Sequence, residues 1–332
     1  MIRLFSFFCL FFFSCSSSDN TILVTNYGET QGSYYHIKYM SDYGEDYHVE
    51  IDSILQKVDS SLSIYKQYSL ISKLNSQQEV KTDTLFNSVF IAAKKVFIES
   101  GGYFDCSVSP LVDMWGFYKN NLEDFPLVDS NIVKNTLNNI GFQKISLIDD
   151  SLVMPKNMNL DFNSIAQGFT VDLIARFLHN RKIENYLIEV GGELLARGKN
   201  ADGDIWRVGV DKPLDEINVN DRFQFILALK DKALATSGNY RKFYKKNGIK
   251  YSHVINPLTG FPARNSLLSV TVIHDNCMLA DAYATAFMVM GVKQTKAFVL
   301  LNPGIEIYLV YIGKSGDWET YISPKMLEKV VN

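Results

Sequence analysis

Residues 21–332 carry helical and extended hydrophobic patterns in irregular alternation, with no Pro/Gly/Ser-rich linker to separate them. That unbroken mixture is the tightest constraint on the fold, because both kinds of apolar face must be buried in a shared core. Val49, Ile51, Ile54, Leu55 and Val58 recur at helical spacing within 46–60. The same spacing predicts helices over 84–100, ended by Gly101-Gly102, and over 132–140, closed by Gly141. Two more follow over 165–178 and over 279–290, the latter stopped by Gly291. Strands are expected at 186–190, 206–210, 223–229 and 268–273, after an early strand pair around Gly28–Gly32. The tail, 305–311 with 319–322, reads as a hairpin. Strand pairs gather in the second half, so the class is α+β: one compact unit of mixed strands and helices, without a short repeat.

The amino terminus is of another kind. MIRLFSFFCLFFFS has one positive charge, Arg3, then a run from Leu4 to Phe13 in which only Ser6 is polar. These are the n-region and h-region of a secretory signal, too short to span a bilayer as a mature helix. Ser14-Cys15, followed by Ser16-Ser17-Ser18-Asp19-Asn20, resembles the lipobox of bacterial lipoproteins, in which the Cys is acylated and becomes the first residue. Phe12 and Phe13 depart from the usual Leu and small residue, and plain secretion with cleavage near Ser14 is the alternative. The expected organisation is a signal peptide over 1–14, a lipidated Cys15 with its tether over 15–22, and one domain over 23–332. Cys9 leaves with the signal; whether Cys106 and Cys277 pair or stay as buried thiols is open.

Charge excludes one class of partner. Lys plus Arg number 33 against 36 Asp plus Glu, a net of −3, so no basic field is available for nucleic acid. G-x-G-x-x-G, Walker A, H-E-x-x-H and C-x-x-C motifs are absent, and the five histidines show no metal-type spacing.

What remains are polar residues inside apolar segments, where a charge is costly unless paired or used. Gly101-Gly102-Tyr103-Phe104-Asp105 ends a helix; its glycines permit close approach of a ligand, or simply form a cap. Asp161 and Ser164 precede a helix, as a cap or as part of a site for phosphate or for a hard cation. Glu189 and Glu193 flank Gly191-Gly192, orienting a polar ligand or pairing with a neighbour such as Arg197. The stretches Ala235–Arg241 and Tyr251–Gly260 look loop-like and rich in donors, with His253 ahead of an Asn-Pro turn. Asp281 and Thr285 are four apart, so both leave one helical face among small and apolar residues. A carboxylate and a hydroxyl so placed suit Mg2+; a hydrogen bond within the helix is the simpler alternative.

Taken in order, GGYFDCSVSPLVDMWGF, LDFNSIAQGFTVD, VGGELLARGKN, ATSGNYRKFY, YSHVINPLTGFP and ADAYATA resemble the ApbE family, FAD:protein FMN transferases of bacterial envelopes. The resemblance runs from about Glu29 to Tyr321 and implies a single compact ApbE-like unit, leaving two related βαβ-type halves open. It implies Mg2+-dependent cleavage of FAD, with FMN esterified to a Thr hydroxyl of an acceptor flavoprotein and AMP released. By the same resemblance Tyr65, Tyr103, Phe104, Asp105 and Asp161 hold the flavin nucleotide. Ser164, through its carbonyl, joins Asp281 and Thr285 around Mg2+, and the segment bearing His253 and Ile255 closes over the nucleotide. Gln31 stands where many members have Met, and Gln167 where many have Lys, which bears on cofactor affinity. His253 and Asp281 are both candidates for the base. The implied acceptors resemble subunits of sodium-pumping NADH:quinone reductase or Rnf complexes, and the implied location is the envelope, lipid-anchored and facing the periplasm. An FAD pyrophosphatase and a non-catalytic flavin-binding lipoprotein are the rival readings.

Overall fold

The computed structural model describes residues 21–118, 128–213, 222–239, 243–246, 249–252 and 254–331, the side chains of 243–252 excepted. A hairpin opens the described chain: β1 (Ile22–Thr30) and β2 (Ser33–Ser41) are joined by Gln31 and Gly32, both at positive φ. Two such residues make the tight turn whose twist suits antiparallel strands. Five helices follow: α1 (His48–Leu62), α2 (Leu70–Asn75), α3 (Thr84–Glu99), α4 (Ser109–Met114) and α5 (Ser130–Leu137). A 3-10 turn (Phe142–Lys144) and the small hairpin β3 (Ser146–Ile148) and β4 (Ser151–Val153) lead into α6 (Ala166–Asn180). Then come β5 (Tyr186–Val190), β6 (Glu193–Arg197), β7 (Trp206–Asp211), β8 (Phe223–Leu229) and β9 (Lys232–Gly238). After β10 (Phe243–Lys246), β11 (Ile249–Ser252) and β12 (Leu267–His274) the chain enters α7 (Cys277–Leu301). It ends with β13 (Glu306–Ile312), β14 (Trp318–Ile322), α8 (Pro324–Leu327) and β15 (Val330–Val331).

The main sheet has eight strands in the order β1-β2-β5-β6-β9-β12-β13-β14. Alternation along its strands serves two cores. Val270 and Val272 of β12 and Ile307 and Leu309 of β13 face the helices α3 and α7, whereas Ile273, Tyr308 and Val310 face the small sheet β15-β8-β7. The α+β reading holds. Its optional βαβ-type halves do not, because every ladder between these strands is antiparallel.

The reason is visible in α7. Gly291 inside it has φ 74°, and Asn265 Nδ2 donates to the Met288 carbonyl at 2.9 Å, closing a first helical segment there. Phe298 stacks within 5.8 Å of Tyr283 and 5.4 Å of Phe287. In a straight helix, fifteen residues of rise would hold Tyr283 and Phe298 about 22 Å apart. The second segment therefore folds back on the first, and β13 enters the sheet antiparallel to β12. By length and composition alone this helix is apolar enough to cross a membrane, yet the break makes it a core hairpin.

Two local expectations are corrected, the first being that Tyr251 and Ser252, read as loop-like, close β11. Ala235–Gly238, read as loop-like, is the end of β9, a central strand paired with β6 and β12. Its short polar side chains disguise it: Thr236 spends its hydroxyl on Thr271 of β12 at 2.9 Å.

Candidate active site

Two helices meet where the polar residues concentrate. A Cβ on Gly168, in the first turn of α6, would stand 2.4 Å from the Cys277 carbonyl oxygen and 2.9 Å from Asp281 Cβ. Only a glycine lets the start of α6 lie this close to α7. The contact delivers the Gly168 N–H to Asp281 Oδ2 at 3.1 Å. As one of the first N–H groups of α6, ahead of which Ile165 is the cap, it has no acceptor within its own helix. Asp281 is buried, and burial pushes its carboxyl up to about 7 against the opposing effect of the Gly168 amide. An acid so costly to ionise in a dry interior marks a candidate functional site.

Thr285, one turn further along α7, places its hydroxyl 3.5 Å from Ser237 Oγ of β9. The carboxylate thus takes a backbone amide of α6, not the Thr285 hydroxyl. Nor do Asp161 and Ser164 cap α6: Ile165 is the cap residue, without a side-chain bond. The buried Cys106 thiol lies beside this turn. Burial pushes that thiol up, as do the carboxylates of Asp105, Asp161 and Asp281 around it. Cys106 and Cys277 are both buried and unbridged. Among the described residues no three His, Cys, Asp or Glu side chains cluster as a metal site. The available donors are all oxygen: the Ser164 carbonyl, Asp281 and Thr285. Oxygen donors of this kind can hold a hard divalent cation.

Around this centre the remaining candidates divide. Asp161 accepts from the Tyr118 hydroxyl through Oδ2 and from the Asn163 N–H through Oδ1, the latter at 2.7 Å. Burial raises its carboxyl, and these donors lower it. Tyr65 is exposed nearby, its oxygen 3.2 Å from Asn163 Nδ2. Gln31, at the β1–β2 turn, donates to Thr170 Oγ1 of α6 at 2.8 Å. Gln167 lies against Gly191, where a Cβ would come within 2.2 Å of its amide.

Asp105 faces inward to protein. Its carboxylate accepts the Ser107 N–H and hydroxyl at 2.7 and 2.6 Å and the Phe142 N–H at 3.1 Å, tying the loop to the 3-10 turn. A cleft of about 570 Å3 opens beside it, between Gly101-Gly102, Lys144 and Pro257-Leu258. Phe104 is buried in the main core, while Tyr103 accepts from Gln294 Nε2 at 3.0 Å. Ile255 is buried with Leu111, Trp115 and Val133 in a satellite cluster. Arg197, offered as one possible partner for Glu189 and Glu193, pairs with Glu184 at 2.9 Å, and Glu189 accepts from the Tyr34 hydroxyl. His253 and Cys15 lie outside the described residues. Sequence reasoning did not single out Tyr118 or Ser237 as touching the site. Ser237 sat inside the ATSGNY block, which was a signal for it; Tyr118 lies one residue past the block ending in WGF, so only its adjacency to that block pointed to it.

Comparisons with known proteins converge. The model of the ApbE family matches residues 31–309. An FAD:protein FMN transferase of Vibrio cholerae is 33% identical over 299 residues, covering 87% of each chain. One from Escherichia coli K12 is 32% identical over 297 residues, covering 85% of this chain and 81% of its own. Among solved structures, the flavin transferase ApbE of Vibrio cholerae superposes with a TM-score of 0.82 at 32% identity, over 93% of this chain and 99% of its own. The apo flavinyl transferase ApbE of Pseudomonas stutzeri gives 0.84 at 30% identity, over 93% and 97%.

Proposed function

The chain belongs to the ApbE family and acts as an FAD:protein FMN transferase, and we propose that Mg2+ on Ser164, Asp281 and Thr285 supports transfer of FMN to an acceptor threonine. The observation that carries this reading is the α6–α7 contact, which sets the start of α6 directly against the buried carboxylate of Asp281, one turn from Thr285. The residues fit the ion by their chemistry: Asp281 supplies a buried negative charge, and the Thr285 hydroxyl and Ser164 carbonyl are neutral oxygens of the kind a hard cation takes. When bound, such a cation supplies charge neutralisation for the pyrophosphate of FAD.

Phosphoryl transfer asks the protein mainly for positioning. The acceptor hydroxyl gives its proton to a base, for which His253 and Asp281 are the candidates, its oxygen forms a bond to the FMN phosphorus, the bond to the bridging oxygen breaks, and AMP departs with that oxygen. Asp161, held among neutral donors, is placed to receive N–H or O–H donors of the flavin nucleotide, with Tyr65 exposed beside it. Tyr103, Phe104 and Asp105 contribute a backbone wall, since the Asp105 carboxylate and the Phe104 ring are committed inward. The 254–262 turn covers the far side, held by the Trp115 indole N–H on the Gly260 carbonyl at 2.8 Å. The acceptors we propose are envelope flavoprotein subunits resembling those of sodium-pumping NADH:quinone reductase or Rnf complexes. A lipid on Cys15 would keep the enzyme beside them, on the periplasmic face.

The test is direct. Purified protein, FAD, Mg2+ and an acceptor domain should give acceptor heavier by one FMN, with AMP released in equal amount. Free FMN with unmodified acceptor would make the protein a pyrophosphatase. FAD retained without turnover would make it a carrier.

A further inference from the structure

Five side chains, Ser109, Tyr118, Asp161, Asn163 and Tyr65, form one hydrogen-bonded line at the edge of the site, and Tyr118 stands within it. Its hydroxyl donates to Asp161 Oδ2, and Ser109 Oγ lies 3.2 Å from the same phenol oxygen. A phenol has one proton. The carboxylate takes it, so the Ser109 hydroxyl is the donor on the other side. Beyond Asp161 the line continues through Asn163 Nδ2, 3.3 Å from Asp161 Oδ2 and 3.2 Å from the Tyr65 oxygen.

The backbone is shaped to put Tyr118 there. α4 ends at Gly116, whose φ of +77° turns the chain, and the Phe117 N–H closes on the Val112 carbonyl at 3.0 Å. That is a glycine-terminated helix end. It folds Tyr118 back over Ser109, nine residues earlier, and onto the turn that opens α6. Asp161 is itself fixed from the backbone side, its N–H donating to the Cys106 carbonyl at 2.8 Å. The Tyr118 hydroxyl then removes the freedom left to the carboxylate.

We propose that Tyr118 is a positioning residue for the flavin nucleotide: its hydroxyl holds the Asp161 carboxylate in the orientation that meets the N–H or O–H donors of bound FAD. This rests on the assignment of Asp161 to the nucleotide made above. Tyr118 acts through Asp161 and not on the reacting phosphates, so its loss weakens FAD binding and spares the chemical step.

The experiment is a double-mutant cycle with Tyr118→Phe, Asp161→Asn and both together. FAD affinity is read from flavin fluorescence without acceptor, and kcat at saturating FAD with acceptor. Tyr118→Phe should weaken FAD about tenfold, the scale of one hydrogen bond to a charged group, with kcat within about twofold of the parent. Asp161→Asn should weaken binding at least as much, and the double variant no further. Ser109→Ala, which leaves both rings in place, should give a smaller loss in the same direction and guards against misfolding of the phenylalanine variant. Independent, additive losses would overturn the proposal, as would Tyr118→Phe with unchanged affinity beside a weakened Asp161→Asn. An Asp161→Asn protein that binds FAD as the parent does would instead remove the Asp161 assignment, and this inference with it.

Discussion

Asp281 separates chemistry from folding more cleanly than any other residue of the site. Asn at this position keeps an oxygen for the Gly168 N–H, so the α6–α7 contact survives while the anionic donor is lost. Asp281→Asn should therefore lower FMN transfer by at least about 100-fold, the scale of removing a principal electrostatic group. Thermal unfolding should stay close to the parent's; a transfer rate within a few fold of the parent would remove Asp281 from the metal site. The pair Asp281 and Thr285 was legible in sequence because an i,i+4 spacing fixes a shared face whatever the tertiary structure does. What Asp281 bonds to was not legible, since Gly168 lies 113 residues away and carries no side chain to betray a contact. Asp105 marks the same boundary from the other side: its position beside a glycine pair was plain, but its commitment to Ser107 and Phe142 depends on a turn 37 residues on.

At the scale of elements, the junction of α6 with α7 carries the site, and two substitutions probe it. Gly168→Ala drives a methyl into the Cys277 carbonyl, a backbone atom that cannot step aside. A destabilisation of about 1–3 kcal/mol is expected, as for overpacked sites, even though alanine is the better helix former. Urea unfolding measures it, and transfer should fall as the two helices separate. On the next turn of α6, Asp172 accepts the Cys277 and Met278 N–H groups at 3.0 and 2.9 Å, capping the start of α7. Burial pushes its carboxyl up to about 6, more than the two amides and Arg176 pull it down. The fold thus binds this proton more tightly than the unfolded chain, so its contribution is full only below about pH 4 and is lost as pH rises from there through 6. That decline amounts to about 3 kcal/mol. Asp172→Asn cannot ionise, so this portion of the stability loss between pH 4 and 7 should vanish from its urea midpoints; an unchanged pH profile would contradict it. Helices were legible because Gly101, Gly141 and Gly291 punctuate them strongly. Strand β9 was not, because Thr236 and Ser237 read as turn residues until β12 and α7 give their hydroxyls partners.

For the molecule as a whole, the first hairpin links the amino terminus to the site. β1 begins at Ile22, and nine residues later the Gln31 turn bonds to Thr170 on α6. A strand of that length spans about 30 Å. The seven residue steps from Cys15 to Ile22 can add at most about 25 Å at full extension. A lipidated Cys15 would therefore confine the site to a shell no deeper than about 55 Å from the bilayer, within reach of the soluble face of a membrane-bound acceptor but not of proteins far from it. Effective concentration, more than affinity, would then set the rate on such an acceptor. Cys15→Ala should move the protein from the membrane to the soluble fraction and abolish incorporation of labelled fatty acid. With a detached acceptor domain its transfer rate should equal the parent's, because nothing at the α6–α7 junction has changed. With the acceptor in native membranes the rate should fall at least about tenfold, the low end of what tethering contributes. Equal rates on both acceptors would mean that the anchor serves retention alone; fatty-acid label persisting in Cys15→Ala would place the lipid elsewhere.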